Sequence, residues 1–149
     1  KDEGFALHAP HNYWSDLRLE PGTIPPSWQK SLQCARQALG ALSDFDVGQA
    51  LVIQDQRILA IEGAEGTDAL IQRSGSLIHR DSSPALFVKM AKAQQSLALD
   101  PPVLGLPTFK RCVEARIQAL AWEAKTTYIL HGADCLDYAR EKGIECLRF

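Results

Sequence analysis

The stretch QALVIQDQRILAIEGAEGTDALIQRSG, residues 49–75, decides the fold class. Two apolar runs flank Asp55 and Gln56, a spacing that predicts a β-hairpin. The acidic, glycine-rich segment IEGAEGTD follows the second run. GTDALIQRSG then predicts a short helix that begins near Thr67 and ends before Gly75. A hairpin followed directly by a helix indicates a fold that mixes strands and helices.

The rest of the chain extends this alternation. A helix that begins near Pro26 is predicted by apolar residues at steps of four and three: Trp28, Leu32, Ala35, Leu39 and Leu42. We expect strands in GFALHA, PALFVKMAK, IQALAWEA, TTYIL and IECLRF, and helices in TFKRCVEAR and GADCLDYAREKG. QQSLALDPPVLGLP is expected to be irregular, because proline cannot donate to a ladder. We therefore predict an α/β fold, with a mixed sheet and interleaved helices, in a single compact domain.

Composition excludes several classes of protein. The chain has 149 residues and a formal net charge of −2, which argues against a basic, nucleic-acid-binding domain. No apolar run approaches the length of a membrane span. Four cysteines lack CxxC spacing, so we expect free thiols in a reducing, cytoplasmic environment. The first residue is Lys1 rather than methionine, from which we expect a fragment of a longer protein.

The acidic turn IEGAEGTD is the first candidate site. Backbone N–H groups at a junction between a strand and a helix can bind an anion. Three carboxylates of the turn could instead hold a divalent cation: Glu62, Glu65 and Asp68. The alternative is a solvated turn in which Thr67 caps the following helix.

The segment VKMAKAQQSLALDPP is the second candidate. Lys89 and Lys92 follow a predicted strand and could contact phosphates, and Asp100 could serve as a base or metal ligand. The alternative is that both lysines are solvated and that Asp100 begins a proline turn.

A third, weaker candidate is DFDVGQ, in which Asp46 and Gln49 flank Gly48 as the chain enters the hairpin. A plain turn before a strand is the alternative. The histidines have no metal-ligand spacing, and the chain contains no GxSxG, Walker or HExxH motif.

These motifs together are more informative than any one of them. DVGQALVIQDQRILAIEGAEGTDAL, followed by VKMAK, LDPP and ALAWEA, resembles the LpxI family of UDP-2,3-diacylglucosamine pyrophosphatases in bacterial lipid A biosynthesis. The resemblance runs from about Gly4 to the C-terminus and matches only the second domain of that family. It implies that residues 1–149 are an LpxI-like C-terminal domain, and that the family's N-terminal, nucleotide-binding-like domain is absent from this chain.

The resemblance also implies a reaction. LpxI-type enzymes use water and a divalent cation, typically Mg²⁺, to cleave their substrate into UMP and 2,3-diacylglucosamine 1-phosphate (lipid X). The implied partners are a lipid-linked nucleotide sugar and the missing N-terminal domain. The implied location is cytoplasmic, with contact to the inner membrane left open. A homodimer, in which a second copy covers an apolar cleft, is a further hypothesis.

The resemblance places roles on individual residues. The catalytic aspartate of the family falls on Asp100. The substrate and phosphate contacts fall on Gln49, Gly66, Thr67, Lys89 and Lys92, and the metal ligands on Glu65 and Asp68. Three other residues match family positions: Asp46, Gly48 and Glu123.

The chain departs from the family near Asp100. A family arginine two residues before it is Ala98, and a family acid is Ser96. Because alanine cannot replace an arginine that binds phosphate, the alternative function is a binding module that holds a nucleotide sugar or an acyl-glucosamine phosphate without hydrolysing it.

Overall fold

The computed structural model describes residues 19–92 and 101–149, which form four α-helices and seven strands. The helices are α1 (Pro26–Leu42), α2 (Gly66–Ser74), α3 (Leu106–Glu114) and α4 (Gly132–Lys142). The strands are β1 (Ala50–Gln54), β2 (Arg57–Ile61), β3 (Leu86–Lys89), β4 (Val103–Leu104), β5 (Ala119–Trp122), β6 (Tyr128–Ile129) and β7 (Glu145–Arg148). The strand predicted in GFALHA lies outside the described residues.

Within the described chain, five strands form one mixed sheet in the order β2-β1-β3-β5-β7. β1 is antiparallel to both β2 and β3, whereas β3, β5 and β7 are parallel to one another. The predicted α/β class with a mixed sheet is therefore confirmed.

Helices cover both faces of this sheet. α1 packs on the face formed by Leu51, Ile53, Leu86, Val88, Ala119, Ala121 and Leu147. α2, α3 and α4 pack on the opposite face, which includes Ala50, Val52, Phe87, Leu120 and Trp122. The near-continuous apolar runs of β1, β3 and β5 follow from this arrangement, because both sides of each strand are buried.

The predicted hairpin is confirmed. Its turn residues Asp55 and Gln56 both have left-handed backbone conformations, with φ of 51° and 61°. A two-residue turn of this kind matches the twist of the flanking strands and aligns Gln54 with Arg57.

The prediction of irregular structure around the prolines was partly wrong. Val103–Leu104 form β4, which pairs in parallel with β6. Pro102 lacks an N–H group, but its carbonyl accepts a hydrogen bond from the Tyr128 N–H over 2.9 Å. Pro101 and Pro102 precede the strand and Pro107 lies in the first turn of α3, so none of the three interrupts the ladder.

All four cysteines are free thiols, as predicted. Burial raises the pKa of the Cys146 thiol to about 11 and also raises that of Cys135. No helix in the described part of the chain is long and apolar enough to span a membrane.

Candidate functional site

One edge of the sheet gathers the carboxyl ends of four strands. Because β2, β3, β5 and β7 all run in the same direction, their carboxyl ends lie at one edge, together with the start of the antiparallel β1. We call this the carboxyl edge. In open α/β sheets, ligands bind outside the carboxyl ends of the strands.

The structure brings residues of three separate motifs to the carboxyl edge. Gln49 directly precedes β1, Lys89 ends β3, and Glu123 directly follows β5. The Glu123 N–H donates to the Lys89 carbonyl over 3.2 Å. Residues that are distant in sequence are thus neighbours because their strands are neighbours.

A chain of hydrogen bonds joins Gln49, Glu62, Thr67 and Lys89, and we call it the Glu62 network. The Gln49 N–H donates to Glu62 Oε2 over 2.9 Å, and the Thr67 hydroxyl donates to Glu62 Oε1 over 2.6 Å. Lys89 Nζ donates to Thr67 Oγ1 over 3.0 Å. Both Glu62 and Lys89 are buried, so the solvated alternatives for the acidic turn and for Lys89 do not describe these side chains.

Thr67 does not cap α2. The helix begins at Gly66 without a side-chain cap, and the Thr67 hydroxyl is directed to Glu62 instead. Gly66 has a φ of 80°, a conformation that glycine adopts at little cost. This glycine lets the chain turn from β2 into α2.

Gly48 is required by close packing against Glu62. Its N–H donates to the Glu62 carbonyl over 3.0 Å, and a Cβ on Gly48 would lie less than 3.0 Å from both the backbone and the side chain of Glu62. The absence of a side chain at Gly48 therefore lets its backbone pack directly against Glu62.

Lys92 and Asp46 form an ion pair of 2.6 Å between Nζ and Oδ1. The hydrogen bond from Lys92 and its charge hold the pKa of the Asp46 carboxyl below its ordinary value. The Asp46 side chain is largely exposed, whereas that of Lys92 is not. The pair joins the second and third candidate motifs.

The two predicted metal ligands each contact an arginine. Glu65 Oε1 lies 2.8 Å from the Arg73 guanidinium, and Asp68 Oδ2 lies 3.0 Å from that of Arg111. A backbone N–H and Arg73 lower the pKa of Glu65. Among residues 19–92 and 101–149, no three histidine, cysteine or acidic side chains are grouped to hold a metal ion. The assignment of Glu65 and Asp68 as ligands stays a prediction.

Glu123 has local partners as well. Its carboxylate accepts a hydrogen bond from the Thr126 hydroxyl, and its carbonyl accepts the N–H of Thr127. Asp100, the predicted catalytic residue, lies outside the described residues, as do Ser96 and Ala98.

Two buried polar atoms at the carboxyl edge have no hydrogen-bond partner within the described chain: Gln49 Oε1 and Trp122 Nε1. Buried polar atoms nearly always have a partner in the protein, in water or in a ligand. Gln49 is only partly buried at this edge, so its Oε1 is an acceptor that a polar ligand could use, whereas Trp122 is fully buried in the apolar core.

Sequence reasoning missed how Glu62 is used. It was considered as a cation ligand, but both of its oxygens accept hydrogen bonds from the protein. The available signal was an acid directly after an apolar strand, with a threonine five residues later in the first turn of a helix. The contact of Asp68 with Arg111 had no such signal, because α3 is far away in sequence.

The fold is that of an α/β domain whose carboxyl edge contains the buried side chains of Glu62 and Lys89. The family model of the LpxI C-terminal domain matches residues 22–147, and the chain belongs to that family.

One curated relative is UDP-2,3-diacylglucosamine pyrophosphatase LpxI of Caulobacter vibrioides, which is 26% identical over 132 residues. The match covers 82% of this chain and 47% of the relative, so the chain spans about half the length of that protein. A crystal structure of a mutant of NE0047 in complex with 8-azaguanine is 10% identical, with a TM-score of 0.47, and covers 99% of this chain and 91% of the other.

Proposed function

We propose that this chain is part of an enzyme that hydrolyses the pyrophosphate of UDP-2,3-diacylglucosamine to UMP and 2,3-diacylglucosamine 1-phosphate in lipid A biosynthesis. The observation that carries the proposal is the meeting of Gln49, Thr67 and Lys89 at the carboxyl edge. Membership of the LpxI C-terminal domain family and the name of the Caulobacter relative support it.

The reaction sets clear chemical requirements. A water oxygen forms a bond to one phosphorus atom, the bridging P–O bond breaks, and the protons of the water are shared between the two phosphate products and the solvent. Negative charge builds up on the leaving phosphate. Groups that are already oriented toward this charge lower the barrier most.

Two lysines supply positive charge in this proposal. Lys89 is held by Thr67 at the end of β3, and Lys92 is held by the exposed Asp46. The Asp46 carboxylate of this pair is largely exposed, so a phosphate group can replace it as the partner of Lys92. Lys92 would then contact the diphosphate directly.

Neutral groups complete the phosphate site in this proposal. Gly66 begins α2, and the N-terminus of a helix favours anions. The unpartnered Gln49 Oε1 would accept a hydrogen bond from a hydroxyl group of the substrate.

Asp100 is proposed as the catalytic carboxylate, which positions or deprotonates water or holds the cation. Mg²⁺ commonly takes one or two protein carboxylates and fills its remaining positions with water and substrate oxygens. A site that needs only one or two carboxylates fits this edge, because most of its carboxylates already have hydrogen-bond or ion-pair partners in the protein. When bound, the ion would neutralise charge on the phosphate oxygens. Glu65 and Asp68 are its predicted ligands, and each would have to exchange its arginine for the cation.

The substrate chemistry also suggests where the protein acts. We propose that it is cytoplasmic and meets its lipid-linked substrate at the surface of the inner membrane. A domain preceding this one would complete the cleft, and a homodimer remains a proposal that the mass in solution would test.

The test is a hydrolysis assay on the full-length protein with UDP-2,3-diacylglucosamine. We expect release of UMP that requires Mg²⁺, is abolished by a chelator and is lost in Asp100→Asn. Asp81→Asn, which changes an exposed aspartate, should retain activity. Release of UMP by Asp100→Asn at the wild-type rate would overturn the role of Asp100.

The second candidate is a binding module, and the observation that favours it is Ala98 in place of the family arginine. On this hypothesis the protein binds the substrate but releases no UMP. Ala98→Arg separates the two candidates: a gain of turnover indicates a disarmed enzyme, whereas unchanged binding without turnover indicates a module that only binds.

A further inference from the structure

Glu62 and Lys89 are both charged types of side chain, yet they are only 7% and 6% exposed. Charged groups of this kind are rarely buried unless hydrogen bonds or an opposite charge compensate the loss of water. The Thr67 hydroxyl lies between them and is hydrogen bonded to both. Thr67 therefore connects the two charged side chains.

The direction of each hydrogen bond can be worked out from the chemistry. A lysine ammonium only donates, so Thr67 Oγ1 must accept from Lys89 Nζ over 3.0 Å. The single proton of the hydroxyl is then available for Glu62 Oε1 at 2.6 Å. Glu62 therefore fixes the rotation of the hydroxyl, and the hydroxyl fixes the direction from which Lys89 approaches.

Glu62 is itself firmly held. Its Oε2 accepts the Gln49 N–H over 2.9 Å, its own N–H donates to the Ala50 carbonyl over 2.8 Å, and its carbonyl accepts the Gly48 N–H over 3.0 Å. These bonds join Glu62 to the start of β1. A side chain with this many fixed contacts is a rigid support for the groups attached to it.

We infer that Glu62 is a positioning residue that holds the Lys89 ammonium, through the Thr67 hydroxyl, at the carboxyl edge where the diphosphate binds. The inference rests on the proposed function for the identity of the ligand. The positioning itself does not, because it concerns contacts within the chain.

The first experiment follows the Lys89 ammonium by ¹H–¹⁵N NMR in the absence of ligand. Its signal is assigned by its loss in Lys89→Arg. We expect the signal to shift and to lose order in Glu62→Gln and Thr67→Val, and to be retained in Thr67→Ser, which keeps the hydroxyl. Circular dichroism verifies that each variant is folded.

Glu145→Gln is the matched control. Glu145 accepts a hydrogen bond from Trp28 Nε1 over 2.9 Å at the start of β7, the opposite edge of the same sheet. It should leave the Lys89 signal unchanged. An unchanged Lys89 signal in both Glu62→Gln and Thr67→Val would overturn the inference.

The second experiment measures kcat and KM of the full-length protein in a double-mutant cycle. We expect Glu62→Gln to lower kcat/KM by about tenfold, as for loss of one transition-state contact. In a Lys89→Met background, the same change should have little further effect, because Glu62 acts through Lys89. A further tenfold loss in that background would overturn the inference.

The two experiments distinguish a failure of the proposed hydrolase function from a failure of the positioning role of Glu62. If the wild-type protein hydrolyses no substrate, the proposed function fails, and the NMR comparison still decides the role of Glu62. If hydrolysis occurs and the Lys89 signal does not respond to Glu62→Gln or Thr67→Val, the inference about Glu62 fails and the proposed function stands.

Discussion

Glu62 and Glu65 are three residues apart in the same turn, yet the fold treats them differently. Glu62 is buried, and both of its oxygens accept hydrogen bonds from the protein. The Glu65 side chain is 35% exposed and pairs with Arg73, which is 46% exposed. One carboxylate belongs to the interior of the carboxyl edge, and the other belongs to its outer surface.

This difference in burial distinguishes an acidic residue that stabilises the turn from one that remains available to a ligand. A buried carboxylate with several fixed partners cannot be removed without leaving polar groups unpaired. An exposed ion pair is screened by water and salt, and it can exchange its partner for a ligand at little cost. The inner position therefore suits support, and the outer position suits binding.

Gly48→Ala should have the largest effect on stability, because the added methyl group would clash with the backbone and side chain of Glu62. The added Cβ would lie less than 3.0 Å from the Glu62 carbonyl and side chain, and neither can move freely. We expect a loss of about 3 kcal/mol in the free energy of unfolding, measured by urea denaturation.

Gly40→Ala is the matched control for that experiment. A Cβ on Gly40, in α1, would meet no atom within 4 Å. Alanine at such a helical position should stabilise the protein by up to about 1 kcal/mol. Equal effects of the two substitutions would show that the Gly48 contact is not tight.

Thr67→Val should have the next largest effect. Valine keeps the shape of threonine but removes the hydroxyl between Glu62 and Lys89, which leaves Glu62 Oε1 buried without that donor. We expect a loss of about 1–3 kcal/mol by thermal or chemical denaturation. Thr67→Ser should recover most of it, and a neutral Thr67→Val would show that water replaces the hydroxyl.

The sequence predicted the elements well and the contacts poorly. The hairpin, the apolar face of α1 and the interleaved helices follow from local periodicity, which depends on neighbours in sequence. The resemblance assigned Gln49, Thr67 and Lys89 to substrate or phosphate contacts, but no spacing in the sequence predicted that they meet at one edge of the sheet. The contact of Thr67 with Lys89 spans 22 residues and depends on how the fold places the first turn of α2 beside the end of β3.

The alternatives for individual side chains also show that local sequence does not predict tertiary contacts. Thr67 had the sequence context of a helix cap, but its hydroxyl is directed to Glu62 because Glu62 offers a buried acceptor. Lys89 had the context of a solvated lysine, but it is buried on the same sheet face as Phe87, and its Nζ contacts Thr67 in the first turn of α2. In both cases tertiary packing decided between alternatives that the local sequence left open.

Glu65→Gln tests the outer position and should have a small effect. Removing the charge weakens a pair between two partly exposed side chains, so without Mg²⁺ we expect a loss in the free energy of unfolding that is much smaller than that of Thr67→Val. The difference from wild type should shrink in 1 M salt, where exposed charges are screened. A loss as large as that of Thr67→Val would contradict the assignment of Glu65 to the outer surface.

The ion pair between Lys92 and Asp46 should give the smallest change in stability and the clearest change in titration. Lys92 lowers the pKa of the Asp46 carboxyl. A lowered pKa in the folded state means that the pair stabilises the fold above the ordinary pKa of aspartate, and that this contribution is lost as the pH falls through the folded value. We expect the ¹³C titration midpoint of the Asp46 carboxyl to rise in Lys92→Met.

The Asp55 carboxyl is the internal control for this titration. A hydrogen bond from Ser83 lowers its pKa, and Asp55 lies in the hairpin turn at the opposite edge, so its midpoint should not move in Lys92→Met. Inorganic pyrophosphate added to the wild-type protein should raise the Asp46 midpoint as Lys92→Met does, because a phosphate that takes Lys92 releases Asp46. If pyrophosphate binds and the Asp46 midpoint stays low, Lys92 keeps its carboxylate partner, and the diphosphate is contacted by the inner groups of the carboxyl edge instead.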